Sequence, residues 1–189
     1  MGFDPSCYGT DVAEILGVDG GGRRPFPLVL DHPPSPAIVS RLEAVSPANL
    51  FAGSPAPEAA LAGLWLYFGA FDQAHRIAQD IPGQDGSYWH GILHRHEPDA
   101  ANAGYWFRKV GTHPLFPQLH SAAAGILGSQ TGSGRFVLGS RWDPFAFIDL
   151  YENARLQSPD SAAHQTVAAI ALAEWQLLFD HCARGSAGR

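Results

Sequence analysis

Lysine is almost missing from this chain: Lys109 is the only one, the remaining bases are arginines, and 18 acids against 12 bases leave a formal charge of −6. Nucleic-acid backbones are held by clustered Lys and Arg. Here the arginines are scattered, and Arg23 and Arg24 are the one adjacent pair of them. The expectation is no nucleic-acid partner and no polybasic patch for a membrane surface. No apolar run approaches the roughly 20 residues that span a bilayer. The opening stretch MGFDPSCYGTDVAEILGVDGGG lacks the charged start and continuous apolar core of a secretory signal, so a soluble, cytoplasmic protein is expected. Gly2 with Ser6 is too common a pairing to indicate myristoylation.

Cysteine is also scarce. Cys7 and Cys182 lie near opposite ends, neither belongs to a CxxC pair, and they read as free thiols, although their separation neither makes nor excludes a disulfide. No serine sits in a GxSxG elbow, which leaves a covalent hydrolase mechanism without support. The glycines of ILGSQTGSGR lack the GxxxxGK[ST] arrangement that cradles phosphates, so they read as a loop.

What the sequence does contain is helix punctuation. Ser35-Pro36, Ser46-Pro47, Asp143-Pro144 and Ser158-Pro159 each pair a capping side chain with a proline suited to the first turn. The last pair opens the longest segment, running to about Ala183 with Val167, Ile170, Ala171, Glu174, Leu177 and Leu178 at three- and four-residue steps. Residues 58–81 read as one bent helix or two short ones, weakest at Gly69, with a stripe of Leu64, Trp65, Phe68, Phe71 and Ala78. Strand signals are limited to the brief runs Leu28 to Leu30 and Phe136 to Leu138. The expected fold is all-α: a single compact helical domain over 37–184, with one or two repeat-like hairpins. A long irregular N-terminal arm covers 1–36, a flexible loop lies between Gly125 and Gly139, and a disordered tail covers 185–189. At 189 residues the chain is long enough for one full core without disulfide or metal staples.

Residues 87–110 predict a helical hairpin: SYWHGILHRHE, a turn forced at Pro98, then DAANAGYWFRKVG with Asp99 as cap. Gly91, Ala103, Phe107 and Pro114 resemble the small, small, aromatic, proline spacing of a tetratricopeptide unit, and NAGYWFRKVG resembles the second helix of a Sel1-like repeat. FDQAHRIAQDIP is a weaker echo upstream, and no third copy follows, whereas stacked arrays need about three. Over residues 60–182, SYWHGILHRHEPD, WDPFAFIDLYE and EWQLLFDHC resemble an uncharacterised family of soluble helical proteins. That resemblance implies an all-helical domain with the histidine-rich segment at its centre. It implies no activity, and it implies arginine where this chain has His96.

The segment SYWHGILHRHEPD is the best candidate for a functional centre. On a helix, His94 lies about 40° from His90, with Glu97 about 20° to the other side, so the three form one polar stripe. Tyr88, Trp89, Ile92, Leu93 and His96 occupy the opposite arc, facing the core. Imidazoles one turn apart can converge on a divalent ion such as zinc. His90 and Glu97 are separated by about 10.5 Å of axial rise, so a further ligand must come from elsewhere. Asp72 and His75 are the natural candidates, with His113 next. The segment is not HExxH, since Gly91 occupies the place of the glutamate base.

Three readings stay open for the cluster: metal ligation, metal-free acid/base or ligand-binding use of His90, His94 and Glu97, and ordinary structural histidines. Arg95 and Arg108 could hold an anion or pair with Glu97 and Asp99 to pin the hairpin. Asp99 and Asn102 could orient a ligand or serve the helix start. Trp89, Tyr105 and Trp106 could line a cavity or pack in the core. His120, His164 and His181 read as surface or satisfied core residues. Two functions follow: an enzyme or binding protein acting on a small polar molecule, or a helical scaffold for a protein or peptide partner.

Overall fold

A computed structural model describes residues 2–29, 33–129 and 137–185. The helices are α1 (Thr10–Gly17), α2 (Pro36–Glu43), α3 (Pro47–Leu50), α4 (Pro57–Tyr67) and α5 (Phe71–Asp80), then α6 (Gln84–His96), α7 (Ala100–Val110), α8 (Phe116–Ser129), α9 (Pro144–Arg155) and α10 (Ala162–Ala183). The described residues contain no strand; Leu28, Val29, Val137 and Leu138 of the two brief runs are not in strands, and Leu30 and Phe136 lie outside the described residues. No helix among them is long and apolar enough to cross a membrane.

Prolines start α2, α3 and α9 where the sequence places them, and the Asp143 carboxylate accepts from the amides of Phe145 and Ala146 at 2.9 and 3.3 Å. The longest helix begins later than expected. Ser158-Pro159 makes a turn, and Ser161 caps α10 by accepting from His164 N at 3.2 Å. Gly69, with φ of +76°, breaks residues 58–81 into α4 and α5, since a left-handed residue at that point costs glycine little.

Two stretches read as irregular contain helix. Within 1–36, α1 buries Val12, Ile15 and Leu16, and the coil after it plants Phe26 and Leu28 in the core. Between Gly125 and Gly139, α8 continues to Ser129 across Gly125 and Gly128, anchored by Leu119 and Ala123 on its core side. Tertiary packing outweighs the local glycine penalty there. Residues 130–136, the remainder of that expected loop, lie outside the described residues, as do 186–189 of the expected tail.

The core centres on α4, which is buried on every side from Ala59 to Tyr67 rather than along a single stripe. Two helices press on it at one glycine. A Cβ on Gly63 would meet the Trp89 ring at 2.8 Å and Phe179 at 3.1 Å, while Trp175 Nε1 donates to the Gly63 carbonyl at 2.8 Å. α6 packs against α4, α5, α7 and α9, with Tyr88, Trp89, Ile92, Leu93 and His96 all buried. α6 and α7 form the expected hairpin, and they approach closely because Gly91 faces the Phe107 ring. Cys7 is exposed and Cys182 buried, and the two are not bonded to each other.

Candidate functional site

The turn at Gly69 lays α5 against α6, and this brings His75 to His90 and His94. One ring nitrogen from each lies within 4.8 Å of the others. His75 Nε2 and His90 Nε2 are 2.9 Å apart, their rings nearly perpendicular, while the His90 and His94 rings are stacked at 5.3 Å. Of the two acceptable partners on α5, His75 is the one that arrives. Asp72 is exposed on the outer face, where its backbone carbonyl accepts from Arg76, and it is not among the clustered ligand atoms.

His90 is 2% exposed and lies flat on the Trp106 indole of α7, with ring centroids 3.9 Å apart and planes 8° from parallel. Lys109 stands one turn further along, its Nζ 4.4 Å from the Trp106 ring and 4.9 Å from Tyr105. Burial, reinforced by His75, His94 and Lys109, pushes the His90 pKa down to about 4, so the imidazole is neutral at pH 7. Among the described residues its buried Nδ1 has no hydrogen-bond partner, which is costly for a polar atom removed from water.

Glu97 follows the last residue of α6 and is largely exposed. Its Oε2 lies 3.1 Å from His94 Nδ1, in an orientation short of a well-directed hydrogen bond. The expected stripe therefore divides: His90 and His94 join His75, and Glu97 backs His94 from outside.

The other expected site residues are engaged elsewhere. Arg95 is fully buried and pairs with Glu174 of α10, Nη2 to Oε2 and Nη1 to Oε1 at 3.4 Å, rather than with Glu97, Asp99 or an anion. Its guanidinium lies 4.5 Å from the Phe147 ring and 5.1 Å from Tyr151, and Tyr88 Oη donates to the same Glu174 at 3.1 Å. Asp99 caps α7, accepting from Asn102 N at 3.1 Å and Asn102 Nδ2 at 2.7 Å, so both serve the helix start. Trp89 is core, with its indole N–H beside the Cys182 thiol. Tyr105 is 45% exposed, on the outer side of α7 with Lys109 Nζ 4.9 Å from its ring. His96 is buried against Tyr151 Oη at 2.8 Å and the Pro27 carbonyl, and burial lowers its pKa to about 3.

His113 does not reach the first cluster. It turns to Asp85, with Nε2 3.0 Å from Oδ1, and His181 joins from α10 at 3.4 Å. Sequence reasoning missed Asp85 and His181 as partners, together with the stacking role of Trp106. For Trp106 there was a usable signal, since it occupies the hairpin position facing His90. For Asp85 and His181, almost a hundred residues apart, there was none. The chain matches no family model, no curated protein and no solved structure.

Proposed function

We propose that the protein binds a divalent transition metal, zinc in the first instance, through His75, His90 and His94, and that the centre supports metal-assisted acid/base or hydrolytic chemistry on a small polar substrate. The observation that carries this reading is the convergence of three imidazoles from two helices. Tetrahedral zinc with Zn–N bonds of about 2.0–2.1 Å needs nitrogens about 3.3 Å apart. Small rotations of the side chains supply that spacing from a 2.9 Å pair within a 4.8 Å cluster.

The chemistry of the donors supports the reading. An all-imidazole set suits zinc, copper or nickel and disfavours magnesium and calcium. A metal ligand must be neutral imidazole, and burial keeps His90 in that form well below pH 7. Glu97 stands 3.1 Å from His94 Nδ1 without a directed hydrogen bond to it, and a carboxylate that accepted from Nδ1–H on metal binding would leave Nε2 to coordinate. Three protein ligands leave a fourth position for water or substrate, the pattern of catalytic rather than structural zinc. Lys109, beside Trp106, adds one positive charge close enough to His90 to help keep its imidazole neutral.

A metal-free reading is favoured by one observation. The 2.9 Å contact between His75 Nε2 and His90 Nε2 can hold a single proton between two bases, which is the arrangement of a proton relay. Zinc titration of metal-stripped protein separates the two. Zinc affinity that falls more than about 100-fold in His90→Ala/His94→Ala, with helical circular dichroism unchanged, is expected of the metal site. A cluster that takes no zinc leaves the proton relay, and a double variant that unfolds makes the histidines structural.

A further inference from the structure

A second group of ligand-type side chains lies apart from the first and draws on three segments distant in sequence. Asp85 comes from the first turn of α6, His113 from the connection between α7 and α8, and His181 from the last turn of α10. Both imidazoles turn Nε2 toward the same oxygen, Asp85 Oδ1, at 3.0 Å for His113 and 3.4 Å for His181. Their ring centroids are 5.4 Å apart. His113 is sealed in the core at 1% exposure, while the side chains of Asp85 and His181 are about one quarter exposed, so the group opens to solvent on one side.

We propose that Asp85, His113 and His181 form a second divalent-metal site, of mixed carboxylate and imidazole type, independent of the three-histidine cluster. The two spacings to Asp85 Oδ1 match the roughly 3.3 Å between ligand atoms around a four-coordinate ion, and all three ligand atoms lie within 4.8 Å of one another. Two histidines and one carboxylate are the donor set that also accepts iron(II), manganese and cobalt, whereas the all-nitrogen cluster does not favour manganese. Asp85 and His90 are five residues apart on α6, about 7.5 Å along its axis and about 140° around it, so the two sites occupy opposite flanks of one helix and share no ligand.

Binding carries a structural signature. The Leu115 amide lies 3.3 Å from His113 Nδ1 and donates to it, which places the ring proton on Nε2, toward Asp85. Coordination by Nε2 moves that proton to Nδ1 without net loss from the ring. Nδ1 then changes from acceptor to donor, and the Leu115 amide must release it.

The test uses metal-stripped full-length protein titrated with zinc by calorimetry and with cobalt(II) by visible absorption. Two equivalents are expected for the wild type, one for Asp85→Asn, one for His181→Ala, one for His75→Ala and none for Asp85→Asn/His75→Ala, each ligand removed costing more than about 100-fold in affinity. In amide NMR spectra, the Leu115 signal is expected to shift with the equivalent that Asp85→Asn abolishes. His181→Ala is the readout that survives if Asp85→Asn weakens the fold. One equivalent lost in His75→Ala and indifferent to Asp85→Asn and His181→Ala overturns the second site and leaves the first. The reverse pattern overturns the first and leaves the second. A Leu115 amide unmoved through both equivalents also overturns the second site.

Discussion

His90 and Trp106 lie face to face, 3.9 Å between ring centroids and 8° from parallel, so the one fully sealed imidazole of the cluster is held by an aromatic plate on the neighbouring helix. An imidazole fixed in this way cannot swing out to solvent when it is protonated or freed of a ligand. Replacing the plate should loosen the ring. Trp106→Ala is expected to weaken zinc binding at the three-histidine cluster by about 10–100-fold, the usual effect of removing a group that orients a ligand without touching the metal. Trp106→Phe should retain most of the affinity. Calorimetric titration of both variants checks this, and equal affinities for wild type and Trp106→Ala would show that the indole does not hold the ligand in place.

Acid should destabilise the fold through two histidines. His90 and His96 have pKa values lowered to about 4 and about 3 by burial, against about 6.5 in the unfolded chain. Both are therefore neutral in the fold at pH values where the unfolded chain already binds protons. As pH falls from about 6.5, the unfolded state takes up protons that the folded state refuses, and stability drops until the folded pKa values are reached. Each group contributes a slope of at most about 1.4 kcal/mol per pH unit in that window. His96→Gln should flatten the stability profile between about pH 6 and pH 3, as measured by urea denaturation across pH.

The Arg95–Glu174 pair should behave as a buried charge pair whose halves depend on each other. Glu174→Ala leaves a guanidinium enclosed by Phe147 and Tyr151 with no counter-charge, at an expected cost of about 3–5 kcal/mol. Arg95→Met/Glu174→Leu should be far less damaging than the sum of the single changes, because no lone charge remains. Denaturant unfolding of the three variants decides it, and additive losses would contradict the coupling.

Two glycine substitutions should have opposite signs. Gly91→Ala drives a Cβ to 2.8 Å from the Phe107 ring and should cost about 1–3 kcal/mol, with Gly91→Ala/Phe107→Leu recovering part of the loss. Gly125→Ala lies inside α8, where a Cβ meets nothing within 4 Å, and should stabilise by about 0.5–1 kcal/mol. Thermal melts of the two single variants give the comparison.

The fold class, the helix starts at Pro36, Pro47 and Pro144, the break at Gly69 and the hairpin at Pro98 were legible in the sequence because each depends on local stereochemistry. The core-facing arc of α6 was legible for the same reason, with Tyr88, Trp89, Ile92, Leu93 and His96 buried, but the burial of His90 and Arg95 on the polar side was not, because α5 and α10 supply the partners that cover them. The choice of His75 over Asp72 was not. The two stand one turn apart, and the direction α5 takes after Gly69 decides between them. Arg95 illustrates the limit more sharply. Locally it has Glu97 and Asp99 for partners, and it takes Glu174, 79 positions away, because the fold carries the side chain inward where neither nearby acid can follow. The helices α1 and α8 were hidden by glycine and by short length, and they persist because their apolar residues reach a core that no local window can see.

Phe107 and Trp106 are neighbours on α7 and divide the approach to α6 between them, one ring against Gly91 and the other against His90. The gap between these helices is thereby set at a point with no side chain of its own on one side, and the imidazole inherits whatever tolerance that point has. A single methyl group added at residue 91 acts as a shim between the two helices, and it would be felt first not as a loss of helix but as a misaligned ring nitrogen.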